Sequence, residues 1–389
     1  MEIFTKDTSF IKKNIEYLKN QIYHGQNLSS KSSLMYSFEV LSQLAAILDV
    51  NVESLKKVNK NKGIINKVFE KESKLENKKL ENFIKNKKQH LEITSTIFSE
   101  DKDILIPEPK KIYESRFLDD EEIYEIISDF FLSTDNLDAF AIFKRLVESK
   151  KMYLVNLDGF EYNGITFFNT YMNDARIIIN ESNIDNTIDL MTALVHEIGH
   201  VMDFEYLGRD STYYCNKSIF TEVLSHLYEK EFMDYLIENN IYKRKTTNRF
   251  MDYYETMREN IIEIALECNI PDNLLKKEKY RGLEKGKLYD KIFEQSELPV
   301  QEEEFPVPST ISLIDSLEYG YGIVLATYFS GLKKTDRKMY QSEIARFMGL
   351  RIDYFPDNFL HELGTTRDFL EKTLDEEIIS APCKIMIKK

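Results

Sequence analysis

The sequence predicts a mainly helical fold with one small β-sheet, and three observations predict it. Apolar residues recur three and four apart over most of the 389 residues, the period of a helix with one buried face. Three short β-branched or aromatic segments stand together between Met152 and Asn180, separated by Asp-Gly, Asn-Gly and Asn-Asp turn signals. Directly after them, Leu190, Leu194, Ile198, Val201 and Met202 form an apolar stripe around the motif H-E-x-x-H.

Taken in order, residues 1–50 carry two helical stripes, Phe10, Ile11, Ile15, Leu18 and Ile22, then Leu41, Leu44, Ile47 and Leu48. From Val52 to Phe98 the apolar positions are sparse and lysine is frequent, the pattern of an exposed helix or helical hairpin. Ile106-Pro107-Glu108-Pro109 breaks any helix, because proline lacks the amide donor. It divides a helical region, 1–106, from the remainder, 107–389. Phe117–Ile123 opens a helix with acidic residues in its first turn, where they suit the helix dipole. A further helix covers Asp135–Glu148. The strands are Met152–Leu157, Gly164–Phe168 and Ala175–Asn180, and Asn186 with Asp189 starts the motif helix. Helices then span Ser218–Glu238, Phe250–Cys268 and Ser309–Leu332, with closing helices from Tyr340.

Composition bounds the function. Apolar content of 42 % and charged content of 30 % fit a globular protein without a long apolar run, so no membrane partner is expected. A net charge of −14 argues against nucleic acid, which is bound by neutralising phosphates. The twelve lysines between Lys56 and Lys88 read as a solvated helix face. Cys215, Cys268 and Cys383 are far apart without C-x-x-C, so neither disulfides nor a thiolate metal site is expected. No secretory leader is visible at Met1–Asp7, and cytoplasm is the expected location.

The motif carries the chemistry. His196 and His200 are four apart and share one helix face, where two imidazoles can hold one zinc ion. Glu197 is then the candidate general base toward water. A catalytic zinc takes a third protein ligand. The place six residues beyond His200 holds Tyr206, which excludes the three-histidine class. Glu222 lies twenty-two residues after His200, and Glu222, Ser225, His226 and Glu229 form a polar stripe in an otherwise apolar helix. Glu222 is the expected third ligand and His226 its rival, while Glu205 is too close in sequence to fold back. Asp203 either supports a ligand histidine or sits on the exposed helix face.

His196-Glu197-Ile198-Gly199-His200, followed by Glu222 with Ser225 and Glu229 at their spacings, resembles the oligoendopeptidase F and thimet oligopeptidase family of zinc metallopeptidases. Arg176–Asn180 is similar to that family's edge strand, and Glu318–Ile323 to its tyrosine-containing segment. The likeness covers roughly residues 115–375. It implies a zincin-type catalytic domain holding one Zn2+ and cleaving short, unstructured oligopeptides. It further implies Glu229 behind the ligands, a peptide laid along Ile177, Ile178, Ile179 and Asn180, and Tyr319 or Tyr321 donating to the oxyanion. With twenty-three tyrosines in the chain, packing is the competing role for both. The family's histidine ahead of those tyrosines has no counterpart between Pro308 and Glu318, and the chain is short on its N-terminal side. The expected function is therefore a zinc endopeptidase. The alternatives are a non-catalytic peptide-binding protein of the same fold, or a processing peptidase for one partner peptide.

Overall fold

The computed structural model describes residues 2–24, 31–50, 79–94, 103–105, 118–134, 136–157, 162–169, 172–207, 219–275, 313–350 and 386–388. The Pro107–Pro109 break, the loop through Gly208 and Asp210, Cys215, Cys383 and most of the lysine-rich segment lie outside them. The architecture is mainly helical with one three-stranded sheet. Two compact units, each assembled from separated segments, make up the chain: 1–73, 110–216 and 224–249 in the first, and 74–109, 217–223 and 250–389 in the second. They do not correspond to the stretches before and after residue 106.

In the first unit the strands β2 (Met152–Val155), β3 (Gly164–Asn169) and β4 (Asp174–Asn180) run in the order β2-β4-β3. β4 is parallel to β2, with Ile178 opposite Tyr153, and antiparallel to β3, with Ile178 opposite Ile165. Alternation along β4 sends Ile178 to one face and Ile177 and Ile179 to the other. Ile178, Tyr153 and Phe167 pack with Ile11, Ile15, Leu41 and Leu44 of α1 (Ser9–His24) and α2 (Lys31–Ile47). Ile177 and Ile179 enter a second core with Phe130, Phe131, Phe143, Leu194 and Ile198. Both faces are covered, which is why every residue of β4 is buried.

The helices of that second core begin where local chemistry dictates. Asp119 caps α4 (Asp120–Ser133): its Oδ1 accepts from the amides of Glu121 and Glu122, both at 3.0 Å, and Glu122 accepts from the Asp119 amide in return. Asn186 starts α6 (Thr187–Leu207) by accepting from the amide of Ile188 at 3.0 Å. Between them lies α5 (Leu137–Glu148), and α7 (Val223–Glu238) completes the core through Tyr228, Phe232 and Leu236.

The second unit contains α3 (79–94), most of α8 (Lys243–Asn269), the short α9 (Asp272–Leu275), α10 (Leu313–Thr335) and α11 (Arg337–Leu350). It also contains a ribbon not anticipated from sequence, β1 (Asp103–Leu105) antiparallel to β5 (Met386–Lys388). None of the described helices is long and apolar enough to cross a membrane.

Candidate metal centre

The close approach of α6 and α7 starts at a glycine. A Cβ on Gly199 would stand 2.5 Å from Ser225 Cα and 2.8 Å from its amide nitrogen, so only glycine lets the two backbones meet there. Gly199 lies between Glu197 and His200, so this contact is what brings the motif face up to α7. The His196 and His200 rings then stand with centroids 5.0 Å apart, and His196 and His226 with centroids 4.9 Å apart.

His196, His200 and Glu222 each present a ligand atom, and the three atoms lie within 4.8 Å of one another. Two imidazoles and a carboxylate, all at least half-buried, make a donor set that could hold a metal ion. Glu222 sits one residue before α7 rather than inside it as the stripe suggested. A second group meeting the same distance limit is His196, His226 and Glu229. Here, however, the contacts are hydrogen bonds. Glu229 Oε2 accepts from His196 Nδ1 at 3.1 Å and from His226 Nδ1 at 3.0 Å, while Oε1 accepts from Arg249 at 3.1 Å. Burial works against charge on Glu229, but the two histidine hydrogen bonds and the Arg249 guanidinium outweigh it. They hold the carboxyl well below the usual carboxylate range.

Glu197 is 5 % exposed, and β3 shapes its surroundings. The Thr166 hydroxyl lies 2.6 Å from Glu197 Oε2. A Cβ on Gly164 would come within 2.7 Å of Glu197 Oε1 and 2.8 Å of its Cγ. Sequence reasoning missed both residues, as it missed Arg249, because none belongs to a motif. Asp203, three residues past His200, is 3 % exposed, which removes the surface alternative for it. Glu205 forms an ion pair with Arg145.

The expectation for the peptide-binding strand is corrected. β4 is central, with β2 on one side and β3 on the other. An incoming peptide needs a free strand edge, and Ile177, Ile178 and Ile179 are wholly buried. Asn180 is structural: its Oδ1 accepts from the amides of Leu157 at 2.9 Å and Ser182 at 3.3 Å. On the outer side of β2, the Thr5 amide donates to Met152 O at 2.8 Å. Among the described residues no strand pairs with the outer edge of β3.

In the second unit, the Tyr321 hydroxyl is 2.6 Å from Nδ1 of the buried His90, and Tyr321 itself is 1 % exposed. Tyr319 is half-buried. Glu318 beside it pairs with Lys79 at 2.5 Å. Burial pushes the Glu318 carboxyl up to about 7, with Lys79 opposing and the charges of Glu222 and Asp315 adding to the rise. Burial also pushes the Cys268 thiol up to about 12, which leaves it without thiolate character at neutral pH.

No protein-family model matches the chain, and no curated protein matches it. Two solved structures do. One is a provisionally named peptidase from Chlamydophila abortus, at 14 % identity and a TM-score of 0.45 over 95 % of this chain and 62 % of that one. The other is PZ peptidase A with an inhibitor, at 13 % identity and a TM-score of 0.42 over 97 % of this chain and 69 % of that one. This chain thus spans less than two thirds of the Chlamydophila protein's length. At scores this low neither likeness carries over a fold or an activity, and the functional reading rests on the site's own residues.

Proposed function

We propose that the chain is a zinc-dependent endopeptidase, of zincin type, acting on short unstructured peptides. The observation that carries this reading is the convergence of His196, His200 and Glu222, whose ligand atoms lie within 4.8 Å of one another, with Glu197 between the two histidines. Those three residues would hold the ion. When bound, zinc supplies Lewis acidity, acidifying water and polarising a peptide carbonyl. Glu197 is the base: with Oε2 engaged by Thr166, Oε1 is the oxygen that takes the proton of the attacking water and passes it to the leaving amine. The peptide would lie along the outer edge of β3, since Gly164 and Thr166 on that strand border Glu197. Backbone pairing of this kind reads an extended main chain rather than a particular side chain, which suits unstructured substrates.

The test is hydrolysis of a pool of internally quenched peptides. Cleavage should stop with a chelator and return with zinc. Glu197→Gln should keep the metal and lose activity by about 10²-fold or more. Metal analysis should find Glu222→Ala without bound zinc, whereas His226→Ala still takes up one ion, at reduced affinity. A wild-type chain that holds one zinc yet cleaves nothing would instead be a peptide-binding protein, and a chain that takes up no metal would remove the reading altogether.

A further inference from the structure

We infer that Arg249 and His226 are positioning residues for His196, acting through the Glu229 carboxylate to set the affinity for the metal. The inference rests on the reading of His196 as a ligand. A carboxylate only accepts hydrogen bonds. Glu229 Oε2 lies 3.1 Å from His196 Nδ1 and 3.0 Å from His226 Nδ1, so each imidazole carries its proton on Nδ1 to make the bond. A neutral His196 protonated there presents its lone pair at Nε2, the orientation a ligand histidine needs. One oxygen bonded to one histidine would leave the carboxylate free to turn. His226 supplies a second donor to Oε2, and Arg249 Nη2, 3.1 Å from Oε1, anchors the other end of the group. The three donors come from three separate turns of chain (α6, α7 and the start of α8), so they fix the carboxylate plane in space.

The same atoms could be read as a second metal site made of His196, His226 and Glu229. Two features count against it. The Arg249 guanidinium would place a permanent positive charge on the far oxygen of the carboxylate that must receive the cation. Both Nδ1 atoms would also have to give up the protons that make their hydrogen bonds. His226 therefore serves Glu229 and is not the third ligand.

The experiment is competition for zinc between the full chain and a chromophoric chelator. Arg249→Met and His226→Leu should each weaken zinc about 10- to 100-fold, the usual effect of removing a partner behind a metal ligand. His226→Asn should recover most of the loss, because its amide nitrogen can donate to Glu229 from nearly the same place. Arg249→Lys should recover part of it, since lysine keeps the charge but not the planar fork. A fold defect alone would not follow this order of rescue. Zinc affinities equal to wild type in both Arg249→Met and His226→Leu would overturn the inference and leave the proposed function intact. So would two zinc ions per chain with one lost in His226→Leu, which would make His226 a ligand. A wild-type chain without zinc affinity would overturn both.

Discussion

Two residues on β3 decide what Glu197 can do. Gly164 has no Cβ where one would meet Glu197 Oε1 at 2.7 Å, closer than real Cβ atoms approach oxygen. Gly164→Ala must therefore push the carboxylate aside. A displacement near 1 Å at a reacting group costs about 10²-fold in rate, so kcat/KM should fall by about that factor while chelator competition finds the zinc affinity unchanged. Thr166 works at the other oxygen. Thr166→Val removes the 2.6 Å bond at nearly constant volume, and kcat should drop about tenfold for one lost hydrogen bond to a charged group. KM should move little, and Thr166→Ser should restore activity. A Thr166→Val enzyme with wild-type kcat would show that the base needs no such support.

At the level of elements, the pairing of α6 with α7 is the joint on which the metal centre depends. Gly199→Ala would force the Ser225 backbone away from a methyl group only 2.5 Å from its Cα. Overpacking of this kind costs about 1–3 kcal/mol. It should appear as a lower denaturation midpoint together with weaker zinc binding, because the helix separation also moves His226 and Glu229 away from His196. A loss of stability without any change in zinc affinity would mean that the ligands do not depend on this contact. The motif helix was legible because its chemistry is local: His196 and His200 share a face by helical period alone, and the polar stripe from Glu222 to Glu229 stands out within an apolar helix. The place of Ala175–Asn180 was not legible. A run such as Arg176-Ile177-Ile178-Ile179 reads as a buried strand whether it is central or lies under a covering helix at an edge. Which one holds is decided by pairing with β2 and β3, far from anything its own residues encode. Arg249 was invisible for a related reason, since a single arginine at the start of a charged helix has no pattern, and only the fold brings it to Glu229.

On the scale of the whole molecule, the clearest solution signature belongs to His90, wholly buried in the second unit between Phe83 and Tyr321. Its ring centroid is 4.8 Å from that of Phe83 and 5.7 Å from that of Tyr321. Burial pushes the imidazole down to about 3 from an ordinary value of 6.5. The folded chain thus keeps His90 neutral where the unfolded chain protonates it. Between those two values the unfolded state binds more protons, so stability rises with pH there. The contribution is fully present above 6.5 and is lost progressively as pH falls toward 3. A tenfold difference in proton affinity between the two states corresponds to about 1.4 kcal/mol, so lowering the pH from 7 to 5 should cost about 2 kcal/mol through this residue alone. Other carboxylates and histidines titrate over the same range, and the difference between wild type and His90→Gln separates them. Glutamine keeps a hydrogen-bonding group near the Tyr321 hydroxyl but does not titrate. Unfolding free energies from urea melts, taken at pH 7 and pH 5, should show the gap between wild type and variant closing by about 2 kcal/mol at the lower pH, to the variant's relative advantage. A gap independent of pH would mean that His90 is equally protonated in the folded and unfolded chains, and the buried, neutral imidazole against Tyr321 would be the wrong description of this core.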